Sequence, residues 1–217
     1  MPVNAPLPKV EATRNYGATV RMAGQAVDDC IASAKDLCRD GQAVFVPPFD
    51  DPLIIAGQGT IGLELAAEAP EAETVVVPIG GGGLIAGIAA ALAGRARAIA
   101  VEPERCPTLH AALAAGTPVD VDVGGIAADS LGASRIGSVC WEIAQATGMS
   151  SVLVPDEAIA RARGRLWSEL RVLAEYGGAA ALAALITGAY LPEPGERVAA
   201  VVCGGNTDPA AVLADPP

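Results

Sequence analysis

Four consecutive glycines, Gly80 to Gly83, stand between a valine run, Val75 to Val77, and an apolar, alanine-rich run that begins at Leu84. With no side chains in the way, their backbone can approach a ligand closely and can adopt positive φ. Several N–H groups can then converge at the start of a helix, where the helix dipole adds partial positive charge. That is an anion cradle, and phosphate is the anion it suits. The alternative is a tight strand–helix turn kept for packing, but four glycines in a row are more than packing needs. A dinucleotide-binding fingerprint fits less well: it spaces its glycines and would ask Glu102, about 20 positions on, to bind a ribose. A second glycine loop, Cys203-Gly204-Gly205-Asn206, follows an apolar run near the C-terminus.

Other reactive side chains are few. The single histidine, His110, falls within a helical stretch and reads as an exposed helix residue, not a base. The five cysteines, Cys30, Cys38, Cys106, Cys140 and Cys203, form no C-x-x-C pair, so zinc is not indicated and free thiols are expected. The lysines are Lys9 and Lys35, and neither sits in a pattern that marks a catalyst.

The elements that must carry these residues alternate. A helix is expected over Lys9–Tyr16, a strand over Ala18–Met22, a helix over Ala26–Arg39 and a strand over Ala43–Val46. Pro47 to Gly59, with three prolines and two aspartates, reads as the longest loop and a lobe boundary. Thr60–Ala69 follows as a helix with Gly59-Thr60 as its cap region. Then come the strand and helix around the glycines, a strand at Ala98–Val101, and a helix over Pro107–Ala115 that Gly116 terminates. Thr117 to Ser134 is a second long irregular stretch, of the kind that is usually functional. Arg135–Thr147 is a helix, Val152–Val154 a strand, and Asp156–Ala174 a helix broken by Glu175-Tyr176-Gly177-Gly178. Ala179–Ile186 resumes helix and Val198–Val202 is the last strand. This βαβ alternation predicts an α/β fold: a mostly parallel twisted sheet with helices on both faces. Ligands bind such sheets at the carboxyl ends of the strands, where both glycine loops fall.

The chain has 217 residues, of which 52% are apolar and only 3% aromatic, so the core must be built from Ala, Val, Leu and Ile. A net charge of −11 argues against a nucleic-acid or anionic-membrane partner. Nothing resembles a signal peptide or a membrane span, and a cytoplasmic location is expected.

Five segments occur in the order seen in threonine/serine dehydratases. They are P-F-D-D-P-L-I-I-A-G-Q-G-T-I-G-L-E-L (48–65), G-G-G-G-L (80–84), A-D-S-L-G-A (128–133), E-Y-G-G-A-A-A-L-A-A-L (175–185) and C-G-G-N-T-D (203–208). The opening A-P-L-P-K-V-E-A-T-R-N-Y-G-A-T-V (5–20) also resembles that family's small-domain segment. The chain is thus similar, over essentially its whole length, to fold-type II pyridoxal-phosphate-dependent enzymes of the tryptophan synthase β kind. The resemblance implies two lobes, residues 1–46 being a remnant of the smaller and 47–217 the larger, cofactor-binding one.

By that resemblance the backbone of Gly80, Gly81, Gly82 and Gly83 would hold the 5′-phosphate of pyridoxal 5′-phosphate, with Leu84 also among the cofactor-binding residues. The Cys203 side chain would sit by the pyridine nitrogen, with Glu175 near the ring and Gly204 also cofactor-binding. A neutral thiol is a poor partner for a protonated pyridinium, so the ring would be a weaker electron sink, which suits elimination. Relatives that bind a divalent cation use acidic residues after the fourth strand; Glu102 matches the first, but six residues on stands Thr108. The cofactor-bearing lysine of a Ser-x-Lys-x-Arg segment, and the loop that grips the substrate carboxylate, would lie upstream of Met1, so no catalytic residue is assigned within this chain. The implied activity is that of an ammonia-lyase: β-elimination from threonine or serine to a 2-keto acid and ammonia, with this chain alone expected to be inactive. The alternatives are a non-catalytic cofactor-binding remnant or an assembly partner of a full-length homologue, and a serine racemase-like enzyme. A homodimer is the family-level expectation.

Overall fold

The computed structural model describes residues 1–216. At its centre lie four parallel strands: β1 (Thr74–Pro78), β2 (Arg97–Pro103), β3 (Ser150–Val154) and β4 (Val198–Ala200), in the order β3-β2-β1-β4. Ten helices surround them among the described residues: α1 (Leu7–Asn15), α2 (Val27–Leu37), α3 (Pro52–Glu68), α4 (Gly83–Leu92), α5 (Thr108–Ala115), α6 (Ala128–Leu131), α7 (Ser138–Thr147), α8 (Asp156–Leu170), α9 (Tyr176–Thr187) and α10 (Pro209–Leu213).

The period-2 alternation of β1 divides the core. Val75 and Val77 point into one apolar cluster with Ile55, Ile85, Ile88, Leu109 and Cys140. Val76 points into the other, with Ile159, Ala162, Leu166 and the buried alanines of α9. All three valines are fully buried, and each such burial stabilises by roughly 1.5–3 kcal/mol. A strand covered on both faces can therefore be apolar at every position. Small residues take the place of aromatics where helices meet. A Cβ on Gly87 of α4 would lie 2.6 Å from Gly59 N of α3, and one on Gly62 would lie 2.8 Å from Ile88 O.

Several boundaries differ from the sequence reading. Ala18–Met22 and Ala43–Val46 are not strands. Residues 1–3 do run beside residues 21–24, with Met1 N donating to Arg21 O at 2.7 Å, Ala23 N to Met1 O at 2.8 Å and Val3 N to Gly24 O at 2.9 Å, but no ladder extends from this pair. Val44 and Val46 are exposed, with no sheet neighbour to pair with. Among the described residues, then, 1–46 contribute two helices and no strand.

The loop expected to reach Gly59 ends at Asp51. Its Oδ1 accepts from Leu53 N at 2.8 Å and Ile54 N at 3.2 Å, capping α3. Pro52 occupies the first helical position, where a missing N–H costs nothing. Likewise Gly177 and Gly178 do not interrupt a helix: α8 has already ended at Leu170, and α9 begins at Tyr176 and includes both. The helix expected from Arg135 begins at Ser138. The short α10, capped by Asp208 through Ala210 N at 2.9 Å, was not anticipated.

Candidate functional site

β1 and β4 are neighbours, so the loops at their carboxyl ends emerge side by side. After β1 the chain passes through Ile79 into Gly80–Gly82 and then into α4. Gly82, with φ 95, is the N-cap of α4, and few residues other than glycine adopt that value. The carbonyls of this loop are all engaged. Gly80 O accepts from Thr108 Oγ1 at 2.7 Å, Gly81 O from Gly137 N at 3.0 Å and Gly82 O from Ala86 N at 3.0 Å. In a trans peptide the N–H points opposite to the C=O, and the chain holds no cis bond among the described residues. The amides of Gly81, Gly82 and Gly83 are therefore turned away from these partners, and no acceptor bonds them among the described residues. Three unpaired donors at a helix N-terminus are what an anion requires, and the donor set fits a phosphate. The Leu84 side chain packs into the core, so only its backbone can serve the loop.

The other motifs close around these glycines. Phe49 lies over them: a Cβ on Gly81 would meet its ring at 2.5 Å, and one on Gly83 would meet its Cβ at 3.1 Å. Asp50 caps α7, accepting from Val139 N at 2.9 Å and Ser138 Oγ at 3.1 Å. P-F-D-D-P thus does three tasks in sequence, covering the glycines, capping α7 and capping α3. Gly80 abuts the Leu131 backbone, 2.9 Å from its added Cβ. Gly177 abuts Ser130 and Leu131, and Gly178 abuts the backbone of Cys203 and Gly204. Tetraglycine, A-D-S-L, E-Y-G-G and C-G-G-N form one continuous surface.

At its far end stand Glu175, Cys203 and Gly204. Glu175 N donates to Gly204 O at 2.8 Å. Burial pushes the Cys203 thiol up from its ordinary value, and the Glu175 charge adds to the effect, so the group is a neutral thiol at neutral pH. The sequence reading gave Lys9 no part here, yet its Nζ lies 2.8 Å from Glu175 Oε2 and 3.0 Å from Asp129 Oδ2. Burial pulls the ammonium down, but bonds and charges from these two carboxylates outweigh it and hold the pKa above the usual lysine value. Such a lysine is a cation at neutral pH and a poor nucleophile. Lys35 lies elsewhere, over the ring of Phe45 at 5.6 Å.

Glu102, the residue matched to a cation site by resemblance, is engaged within the protein. Fully buried at the end of β2, it accepts from Leu109 N and His110 N, both at 2.8 Å, and from Ser151 Oγ. It thereby caps α5 from a neighbouring strand. Burial pushes its carboxyl up against the pull of these bonds. Among the described residues no group of three or more His, Cys, Asp or Glu could hold a metal ion. His110 is exposed, as expected of a helix-surface residue.

Arg163 of α8 was also missed. It is 2% exposed, stacks 3.6 Å over the Tyr176 ring, bonds the Asp215 carboxylate, donates to Ala211 O at 3.0 Å and lies 3.4 Å from Thr207 Oγ1. It ties the start of α9 to the segment after Cys203. A signal existed: Arg163 falls four residues after Ile159, on the buried stripe of α8.

The family model described as pyridoxal-phosphate dependent enzyme matches residues 1–204. A relative named L-threonine ammonia-lyase, from Geobacter sulfurreducens, is 42% identical over 211 residues, 96% of this chain and 52% of that protein. Among solved structures, maize serine racemase superposes with a TM-score of 0.88 at 30% identity, covering 97% of this chain and 66% of that chain. The processed form of threonine deaminase isoform 2 from Solanum lycopersicum gives 0.85 at 31% identity, covering 98% and 60%. The chain spans about half the length of the curated relatives it matches. Among the described residues no helix is long and apolar enough to cross a membrane.

Proposed function

The chain belongs to the family of pyridoxal-phosphate-dependent enzymes, and from that premise we propose that it forms the cofactor-holding part of an ammonia-lyase acting on a small hydroxy amino acid, threonine or serine. The reaction is β-elimination, yielding a 2-keto acid and ammonia. The observation that carries this reading is the glycine loop: the carbonyls of Gly80, Gly81 and Gly82 are bonded, while no acceptor among the described residues bonds the amides of Gly81, Gly82 and Gly83 at the N-terminus of α4.

When bound, pyridoxal 5′-phosphate supplies an electron sink for the pair left at Cα once its proton is removed. This chain's own residues would bind and orient that group. Gly81, Gly82 and Gly83 hold the phosphate through backbone N–H groups, so its charge is met by dipoles rather than by a cation. Cys203, kept neutral by burial, would be a weak hydrogen-bonding partner for the ring nitrogen. Glu175, held by Gly204 O at its N–H and by Lys9 at its carboxylate, would lie beside the ring. Lys9, as a paired cation, orients Glu175 and does not move a proton.

The likeness to maize serine racemase supports a second reading, in which a proton returns to Cα and configuration is lost. Incubation of the cofactor-loaded protein, supplied with a lysine-bearing Ser-x-Lys-x-Arg segment, with L-serine and L-threonine separates the two. Keto acid and ammonia without D-amino acid favour the lyase, and D-serine without keto acid favours the racemase. Equilibrium dialysis against pyridoxal 5′-phosphate, with inorganic phosphate as competitor, tests the cradle itself. Binding that phosphate does not displace would contradict it.

A further inference from the structure

Resting on the reading of the glycine loop as the phosphate cradle, we propose that Thr108 is the positioning residue that aims the first amide of that cradle. Thr108 opens α5 and is fully buried, so its hydroxyl must find a partner inside the protein. Two acceptors stand within reach: Gly80 O at 2.7 Å and Glu102 Oε1 at 3.3 Å. A hydroxyl has one proton to donate. Glu102 does not need it, because Leu109 N, His110 N and Ser151 Oγ already donate to that carboxylate. Gly80 O has no other donor among the described residues. The shorter contact and the greater need coincide, and the proton goes to Gly80.

The consequence follows from peptide geometry. The peptide joining Gly80 to Gly81 is planar and trans, so fixing the carbonyl toward Thr108 fixes the Gly81 N–H in the opposite direction. Neither glycine has a side chain to resist rotation of that peptide. Leu131 backbone crowds Gly80, 2.9 Å from where a Cβ would stand, but supplies it no hydrogen bond. Glu102 enters one step further back. By capping α5 from β2 it holds the first turn of that helix, and so Thr108, in place. The path runs from the carboxyl end of β2, through the start of α5, to one amide of the glycine loop, across 28 residues of sequence.

The test compares pyridoxal 5′-phosphate with pyridoxal, which lacks the phosphate, by equilibrium dialysis on the 217-residue chain. Thr108→Val keeps the shape and removes the hydroxyl; Thr108→Ala also removes it and carries the comparison if the valine variant lacks the wild-type far-UV spectrum. Both are expected to bind the phosphorylated ligand about tenfold more weakly, the loss of one neutral hydrogen bond, with pyridoxal unchanged. Thr108→Ser, which restores the donor, is expected within about twofold of wild type. A purely structural role would weaken both ligands alike, and that result, or an unchanged affinity for the phosphorylated ligand, overturns the proposal. A wild-type chain with no preference between the two ligands instead sinks the cradle reading itself, and Thr108's role with it.

Discussion

Substituting Gly178 by alanine sets two effects of opposite sign against each other. Gly178 lies inside α9, where alanine is favoured over glycine by about 1 kcal/mol. Gly57, exposed inside α3 with nothing within 4 Å of an added Cβ, shows that gain alone. At Gly178 the added Cβ would fall on Cys203 O, 2.7 Å from Cys203 C and 3.0 Å from Gly204 O, where ordinary contact begins near 3.4 Å. The obstruction is backbone, so no rotamer change relieves it. Overpacking of this kind costs about 3 kcal/mol, at the upper end of the usual range because the whole loop must shift. Net of the helix gain, Gly178→Ala is expected to destabilise by about 2 kcal/mol, a fall in Tm of about 4–8 °C for a chain this size. Gly57→Ala is expected to raise Tm by about 2–4 °C. Thermal melts followed by far-UV circular dichroism read both signs. Pyridoxal binding should also weaken in Gly178→Ala, because the displaced loop carries Cys203. If Gly178→Ala stabilises as Gly57→Ala does, the packing of the Cys203 loop on α9 is wrong.

Glu196 should govern part of the acid stability. Hydrogen bonds from Thr74, Tyr190, Glu193 N and Arg97 hold its carboxyl down at about 2, against a usual 4.5. A depressed carboxyl contributes stability that is full above 4.5 and lost as pH falls toward about 2. Glu196→Gln is therefore expected to flatten the fall in Tm across that window, and an unchanged slope would count against the network. Asp50→Ala removes the cap of α7 from a residue at φ 57 and should cost about 1–2 kcal/mol, read as a lower midpoint in urea. Thiol labelling at pH 8 should leave Cys106 and Cys140 untouched until the chain unfolds, since both are buried and Cys140 is pushed up to about 12 by burial. Half-buried Cys203 should label slowly, and more slowly still with saturating pyridoxal 5′-phosphate; a rate indifferent to the cofactor would remove Cys203 from the ring site.

Local chemistry is what the sequence determined. Val75 to Val77, the glycines after them and the alanine-rich run beyond make a buried strand, a tight turn and a helix through near-neighbour preferences alone. Their order with the other motifs was enough to indicate the family. The same local reasoning failed where a partner decides. Ala18–Met22 and Ala43–Val46 have strand-like composition, but no neighbouring strand completes a ladder with them. Pro52 looked like a loop residue until Asp51 was seen to cap the helix it begins. That β4 lies beside β1, so that the loops at their carboxyl ends emerge side by side, came from the tertiary structure. It alone set Lys9 against Glu175, packed Phe49 over Gly81 and turned the Thr108 hydroxyl toward Gly80. Each of these pairs residues distant in the chain, and their pairing depends on strand order and helix crossing, which no local propensity encodes.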